Sequence, residues 1–281
     1  MARKWAKVAA ILMMATALTG CTVATDVVRA VQVVSRVFQT SEVVEQTHRV
    51  QPGSALQISN LNGDITVRAG GNREIHIVAT KRAFGAESEL GDADIRVAVG
   101  EITVIETVHR KERTRVSVDY EVTIPQDMIL NEVRTSNGYV QVEGVTGDVV
   151  ATSSNGSIHL EGVDGYVRAT TSNGSIDIVD CTGVRSGVHT SNGSIRVEVR
   201  SIEGNLEIRT GNGSITAYLS RHLNAEVIMT VSNGQVVADH NHLVIGESSA
   251  KRITGQIGSE ARHQIRIRTS NGTVTARKIE E

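Results

Sequence analysis

The chain has 281 residues, 40% of them hydrophobic and 21% charged, which is the composition of a folded protein with a sizeable core. It is neither a disordered tail nor a multi-span membrane protein. Aromatic residues make up only 2% and the formal net charge is −2, which argues against nucleic acid as a partner and against a carbohydrate site built on aromatic faces.

Residues 1–20 have the order of an export signal. Arg3, Lys4 and Lys7 form a basic start, and Val8 to Leu18 is apolar apart from Thr16. That run is shorter than the roughly 20 residues a spanning helix needs. It ends Leu18-Thr19-Gly20-Cys21, which resembles the lipobox of bacterial lipoproteins. The resemblance implies cleavage before Cys21 and acylation of Cys21 with a palmitate-type lipid. It also implies a membrane-anchored product, held at the outer membrane where the host has two. Removing three of the 29 cations leaves 26 against 31 acidic residues, and Cys181 remains as the one other cysteine. No intrachain disulfide is then expected. Residues 21–47 read as a lipid-anchored tether. Val27, Val28, Val31, Val34, Val37 and Phe38 have rough helical spacing, although β-branched residues weaken a helix.

Residues 48–131 are strand-rich but irregular. Ile58, Ile65-Thr66-Val67, Ile75-His76-Ile77-Val78, Ile95-Arg96-Val97 and Ile102-Thr103-Val104-Ile105 read as short strands. Asn62-Gly63-Asp64-Ile65 looks like an early copy of the repeat that follows. The 75 residues from Asn62 to Asn137 are close to four periods. This half is expected to be degenerate coils or a cap.

Residues 132–281 are a repeat. Its marks are Asn137-Gly138, Asn155-Gly156, Asn173-Gly174, Asn192-Gly193, Asn212-Gly213, Asn233-Gly234 and Asn271-Gly272, spaced 18, 18, 19, 20, 21 and 38. The last spacing is two periods with one mark missing, its place taken by Thr254-Gly255. A second glycine follows about nine residues after several of the first, at Gly147, Gly165 and Gly183. Three positions after each Asn stand Val140, Ile158, Ile176, Ile195, Ile215, Val236 and Val274. Five positions after stand Val142, Leu160, Ile178, Val197, Ala217, Ala238 and Ala276. Between them lie Gln141, His159, Asp177, Arg196, Thr216, Val237 and Thr275. That is period-two alternation with one buried face.

Asn-Gly is a strong hairpin signal, so an antiparallel meander is one architecture for this pattern. The other, which fits better, is all-β: a single-stranded parallel β-helix, or β-solenoid, with one period per coil. Polar runs such as Thr152-Ser153-Ser154 lead into the turn, where a hairpin would continue the alternation. Identical residues at one register also suit stacked coils, because like side chains then form ladders. Asn would ladder along the axis, and each Gly would supply a positive-φ corner.

Asn60-Leu61-Asn62-Gly63-Asp64-Ile65, Val118-Asp119-Tyr120-Glu121-Val122-Thr123-Ile124-Pro125 and the Ser-Asn-Gly-Ser-Ile copies resemble the bacterial putative-adhesin domain family, from about Val43 to the C-terminus. The resemblance implies a β-helical fold similar to auto-transporter adhesin heads and an envelope location. It supplies no catalytic residues.

Three clusters invite chemistry. His159, Asp177 and Arg196 share an outward column, where a His–Asp pair could act as base and orienter; a surface ion ladder accounts for the same residues. Glu143 and Glu161 stack in the next outward column, where a cation could sit, but Val179 follows and solvated surface is the simpler account. His240-Asn241-His242 puts two imidazoles on one strand face without a third zinc ligand beyond Asp239, which faces the other way. Cys181 aligns with Val145, Val163 and Ile202 and is expected to be core packing. No catalytic residue, metal or cofactor is therefore expected.

The sequence points to a non-enzymatic, lipid-anchored envelope protein whose solenoid presents a flat face to a polymer or protein partner. A polysaccharide-cleaving β-helix enzyme is the alternative, but near-constant periods leave few loops to build a cleft. An envelope-stress or regulatory component is a further one.

Overall fold

Runs of Val, Ile and Thr with period-two alternation become strands because branched side chains pack well on a pleated surface. The computed structural model describes residues 27–36, 39–71, 73–84, 87–111, 115–239 and 243–280. In chain order the first half holds β1 (Val27–Arg36), β2 (Gln39–Arg49), β3 (Ala55–Ser59), β4 (Ile65–Ala69) and β5 (Glu74–Ala83). A 3-10 turn (Glu87–Asp92) leads to β6 (Ala93–Ala98), β7 (Ile102–His109), β8 (Val116–Ile124) and β9 (Ile129–Arg134). The regular coils hold β10 (Val140–Glu143), β11 (Val149–Thr152), β12 (Ile158–Glu161), β13 (Tyr166–Thr170) and β14 (Ile176–Val179). They continue with β15 (Gly183–Asn192), β16 (Ile195–Val199), β17 (Leu206–Asn212) and β18 (Ile215–Leu219). The chain ends with β19 (Ala225–Ala238), β20 (Val244–Ser248), β21 (Arg252–Ile257) and β22 (His263–Lys278).

The coils stack in two ladders whose pairings are parallel, so the Asn-Gly turns are corners between strands of one coil, not hairpins. The first ladder runs β8, β4, β10, β12, β14, β16, β18, then the second halves of β22 and β19. The other runs β7, β3, β9, β11, β13, β15, β17, then the first halves of β22 and β19. Antiparallel strands finish the stack. At one end β5, β2 and β1 follow β8, and β6 follows β7; at the other, β21 and β20 follow β19.

The order of coils departs from the order of sequence at both ends. The coil of β3 and β4 lies between β7–β8 and β9–β10, so Asn62 bridges Asn137 directly. The 75 residues between them are not four stacked periods but an excursion that builds the end of the stack. At the far end β22 lies between β17–β18 and β19. The 38-residue gap is therefore not a missing corner: Thr254-Gly255 belongs to β21, antiparallel to β19. The expected tether is also partly sheet. Residues 27–36 pair as a strand rather than a helix, and from Gln39 onward the chain pairs along β5, as β-branched Val favours.

The core is one apolar file between the ladders. Val140, Ile158, Ile176, Ile195 and Ile215 are 0–1% exposed. Its second layer is volume-matched across five corners of the regular coils. Around Asn155, Asn173, Asn192, Asn212 and Asn271 the residues four before and five after are Ala151/Leu160, Ala169/Ile178, Val188/Val197, Ile208/Ala217 and Ile267/Ala276, all 2% exposed or less. A small residue on one ladder meets a large one on the other, and two Val meet where the sizes cross over. Close-packed interiors require that constancy of volume. Cys181 is fully buried beside Val145 and Val163, and burial pushes its thiol up to about 11. It packs and does not react.

Candidate functional site

The repeat places three kinds of side chain at each corner. The Asn amides form a chain of hydrogen bonds in which each Nδ2 donates to the Oδ1 of the neighbouring coil. Asn137 donates to Asn62 (2.7 Å), Asn155 to Asn137 (2.8 Å), Asn173 to Asn155 (2.8 Å) and Asn192 to Asn173 (2.9 Å). Asn212 then donates to Asn192 (2.8 Å), Asn271 to Asn212 (2.7 Å) and Asn233 to Asn271 (2.9 Å). The amide is suited to this because it carries donor and acceptor at once and passes the pattern on unchanged.

The glycines stack beside this chain, and the expected positive φ accounts for only part of them. Gly193, Gly213, Gly234 and Gly272 have φ of 154°, 151°, 139° and 146° as expected, but Gly138, Gly156 and Gly174 are outside the positive-φ set. What all share is an axial contact: a Cβ on any of them would meet the carbonyl oxygen of the glycine one coil away at well under 3.0 Å. The coils approach so closely here that only hydrogen fits.

A third column, two residues before each Asn, was not singled out in the sequence. Its hydroxyls donate to the same glycine carbonyls: Thr135 to Gly63 (3.1 Å), Ser153 to Gly138 (3.1 Å), Thr171 to Gly156 (2.9 Å) and Thr190 to Gly174 (2.9 Å). Thr210 and Thr269 continue it. These side chains are 1–5% exposed, and a buried carbonyl lone pair without a donor costs about 1–3 kcal/mol. The recurring Thr or Ser at that offset was the available signal.

The outward clusters turn out to be ion ladders. His159 Nδ1 lies 3.4 Å from Asp177 Oδ2 and its Nε2 3.2 Å from Glu161 Oε2, while Arg196 Nε lies 3.9 Å from Asp177. Both imidazole nitrogens thus face carboxylates rather than a nucleophile. Glu143 is taken by Arg68 at 2.8 Å; that hydrogen bond holds its carboxyl below the usual range, and Gln141 also donates to it. Glu143 and Glu161 therefore each have a cationic or donor partner already. Among the described residues no three His, Cys, Asp or Glu converge on one point. His240 and His242, and likewise Cys21, lie outside the described residues.

A groove runs along the other ladder, beside the corner. Its walls are the columns three and one residues before Asn, which face outward on either side of the buried Thr column. One recess of about 370 Å³ is lined by Thr170, Ser172, His189, Ser191, Glu207, Arg209 and Gly211. The next, of about 250 Å³, shares Arg209 and adds Thr230, Ser232, Arg268 and Ser270. The register sets His189, Arg209 and Arg268 side by side on consecutive coils. Burial holds His189 below the ordinary histidine range; Arg168, Arg209 and Arg268 add to this and Glu207 opposes it. Its ring is then neutral near pH 7 and offers one donor and one acceptor. The sequence did not show the second recess, because Arg268 reaches Arg209 only when β22 lies next to β17.

Stacked parallel coils with a laddered corner and antiparallel ends define the chain as a β-solenoid protein. The model of the Toastrack DUF4097 family matches residues 54–277, and the chain belongs to that family. No curated protein matches the sequence. Similar solved structures include a putative adhesin from Bacteroides fragilis NCTC 9343, 13% identical with a TM-score of 0.40, covering 83% of this chain and 96% of that one. A putative cell adhesion protein from Clostridium sporogenes ATCC 15579 is 10% identical with a TM-score of 0.35, covering 84% of this chain and 99% of that one.

Proposed function

We propose that this protein is a non-enzymatic component of the cell envelope, held to a membrane by lipid on Cys21, whose solenoid presents its side to an extended polymer or protein partner. The observation that carries the proposal is the register: on the ladder from β4 to β18 each exposed column keeps its place from coil to coil, which gives a surface that repeats along the axis at about 4.8 Å. Such a surface suits a partner that is itself long and repetitive. The clusters that could have carried catalysis are paired off as ion ladders. Five residues lie between Cys21 and Val27, a reach of about 20 Å at most. The end of the stack formed by β1, β2 and β5 therefore sits nearest the bilayer, and the regular coils extend beyond it.

Each buried methylene of an acyl chain contributes about 0.8 kcal/mol to membrane attachment. Cys21→Ala should leave the protein uncleaved or released into the soluble fraction of lysed cells. A cleaved Cys21→Ala protein that still sediments with membranes would contradict the lipid anchor. Incubation of the wild type with envelope polysaccharides should release no new reducing or unsaturated ends, and their release would overturn the non-enzymatic assignment.

A further inference from the structure

We propose that the groove beside the corner, crossing the coils of His189, Arg209 and Arg268, is a binding site for an acidic polysaccharide. This rests on the scaffold function above and names the class of its partner.

The first argument is local charge. The chain as a whole is slightly acidic, so a long polyanion is repelled from most of its surface. At the groove the sign reverses. Arg209 is exposed and has no acidic partner among the described residues, while Arg268 shares Glu207 at 2.7 Å. A guanidinium beside a recess, without a carboxylate of its own, is a donor pair waiting for one.

The second is the chemistry of the walls. Opposite the Arg column stand the hydroxyls of Ser172, Ser191 and Ser270, with Gly211 in the same column widening the recess at the coil of Arg209. The lining is hydroxyl, imidazole and guanidinium, with Glu207, already taken by Arg268, its one carboxylate and Val231 its one apolar residue. A peptide would need apolar pockets for its anchoring side chains. A nucleic acid strand would need aromatic platforms for its bases. A polymer of hydroxyls and carboxylates needs neither. It finds hydroxyl partners on one wall and, on the two adjacent coils of Arg209 and Arg268, cations on the other. His189, neutral and sited between Thr170 and Arg209, can donate to or accept from a sugar hydroxyl.

The test uses the full-length protein purified in detergent, with polygalacturonate as the probe and dextran and poly-L-glutamate for comparison, read by titration calorimetry. Polygalacturonate should bind, more weakly as salt rises, and far better than either comparison polymer. Arg209→Glu should weaken binding about ten-fold or more, since one charge-assisted hydrogen bond is lost and a like charge introduced. Arg196→Glu, on the other ladder, should leave binding as it was. Equal affinity for poly-L-glutamate, or wild-type affinity in Arg209→Glu with an unchanged melting temperature, would overturn the proposal. Failure to bind polygalacturonate while intact cells still yield a specific envelope partner by cross-linking would overturn the groove and leave the scaffold function standing. Cleavage of the polygalacturonate would instead overturn the scaffold function.

Discussion

Gly174→Ala is expected to destabilise the protein, although at most sites outside the left-handed region such a change is harmless or helpful. Removing a glycine restricts the unfolded chain and stabilises by about 0.4–1 kcal/mol wherever the new methyl has room. Here it has none, because a Cβ on Gly174 points into the carbonyl oxygen of Gly156. Neither partner can retreat easily. The Gly174 amide donates to Asn192 O at 2.9 Å, and Asn173 donates to Asn155 at 2.8 Å. Relief must come from separating two coils. Gly174→Val should cost more than Ala, about 3 kcal/mol or greater, which lowers the melting temperature of a domain this size by about 10 °C. Asp177→Ala, which trims exposed pairs to His159 and Arg196, should cost about 0–1 kcal/mol. Thermal melts of the three variants check this. An Ala variant as stable as wild type would mean that the glycines do not stack.

The second large effect lies in the core. Ile178→Ala should cost about 2–5 kcal/mol, the usual range for a fully buried aliphatic truncation. Ala169→Ile should cost about 1–3 kcal/mol by overpacking the same layer. The double variant exchanges the two sizes across the Asn173 corner and recreates the order found around Asn212, where Ile208 meets Ala217. Its cost should be smaller than that of Ile178→Ala alone, a coupling expected only of neighbours. Denaturant titrations of the singles and the double give the cycle. Strictly additive costs would show that the two columns do not share a volume.

These two cases mark what the sequence could and could not say. The apolar columns were legible because period-two burial writes itself into the chain at fixed offsets from Asn. The parallel stack was legible from ladders of like residues. The volume match was present too, but seeing it required knowing that the residue four before Asn and the residue five after share one layer. The coil order was not legible at all. A strand such as Ile265 to Thr269 satisfies either neighbour equally well, since the columns carry the same residue types throughout. The insertion of β22 is settled only when the whole end of the stack closes, with β21 covering β19. Tertiary closure also decides residues 39–47, which in isolation resemble a spacer.

The groove inherits this dependence. In sequence order Arg209 would stand beside Thr230, and Arg268 would lie elsewhere; inserted, β22 puts Arg268 next to Arg209 and doubles the cationic stretch. The φ values of Gly138, Gly156 and Gly174 were missed for a different reason. An Asn-Gly pair advertises a left-handed turn, whereas at Gly174 the demand is for closeness between coils.

One measurement therefore bears on both the fold and the groove. Cysteine pairs placed at 209 and 268, and separately at 209 and 230, report which strand lies beside β17. Adjacent in-register positions on parallel strands are about 4.8 Å apart, within the Cα range that a disulfide spans. Positions two coils apart, at about 10 Å, are outside it. Cys181 is buried and does not compete. Mild oxidation should close the Arg209→Cys/Arg268→Cys pair and leave Arg209→Cys/Thr230→Cys reduced. Closure of the 209–230 pair with the 209–268 pair left open would contradict the inserted coil, and with it the cationic groove.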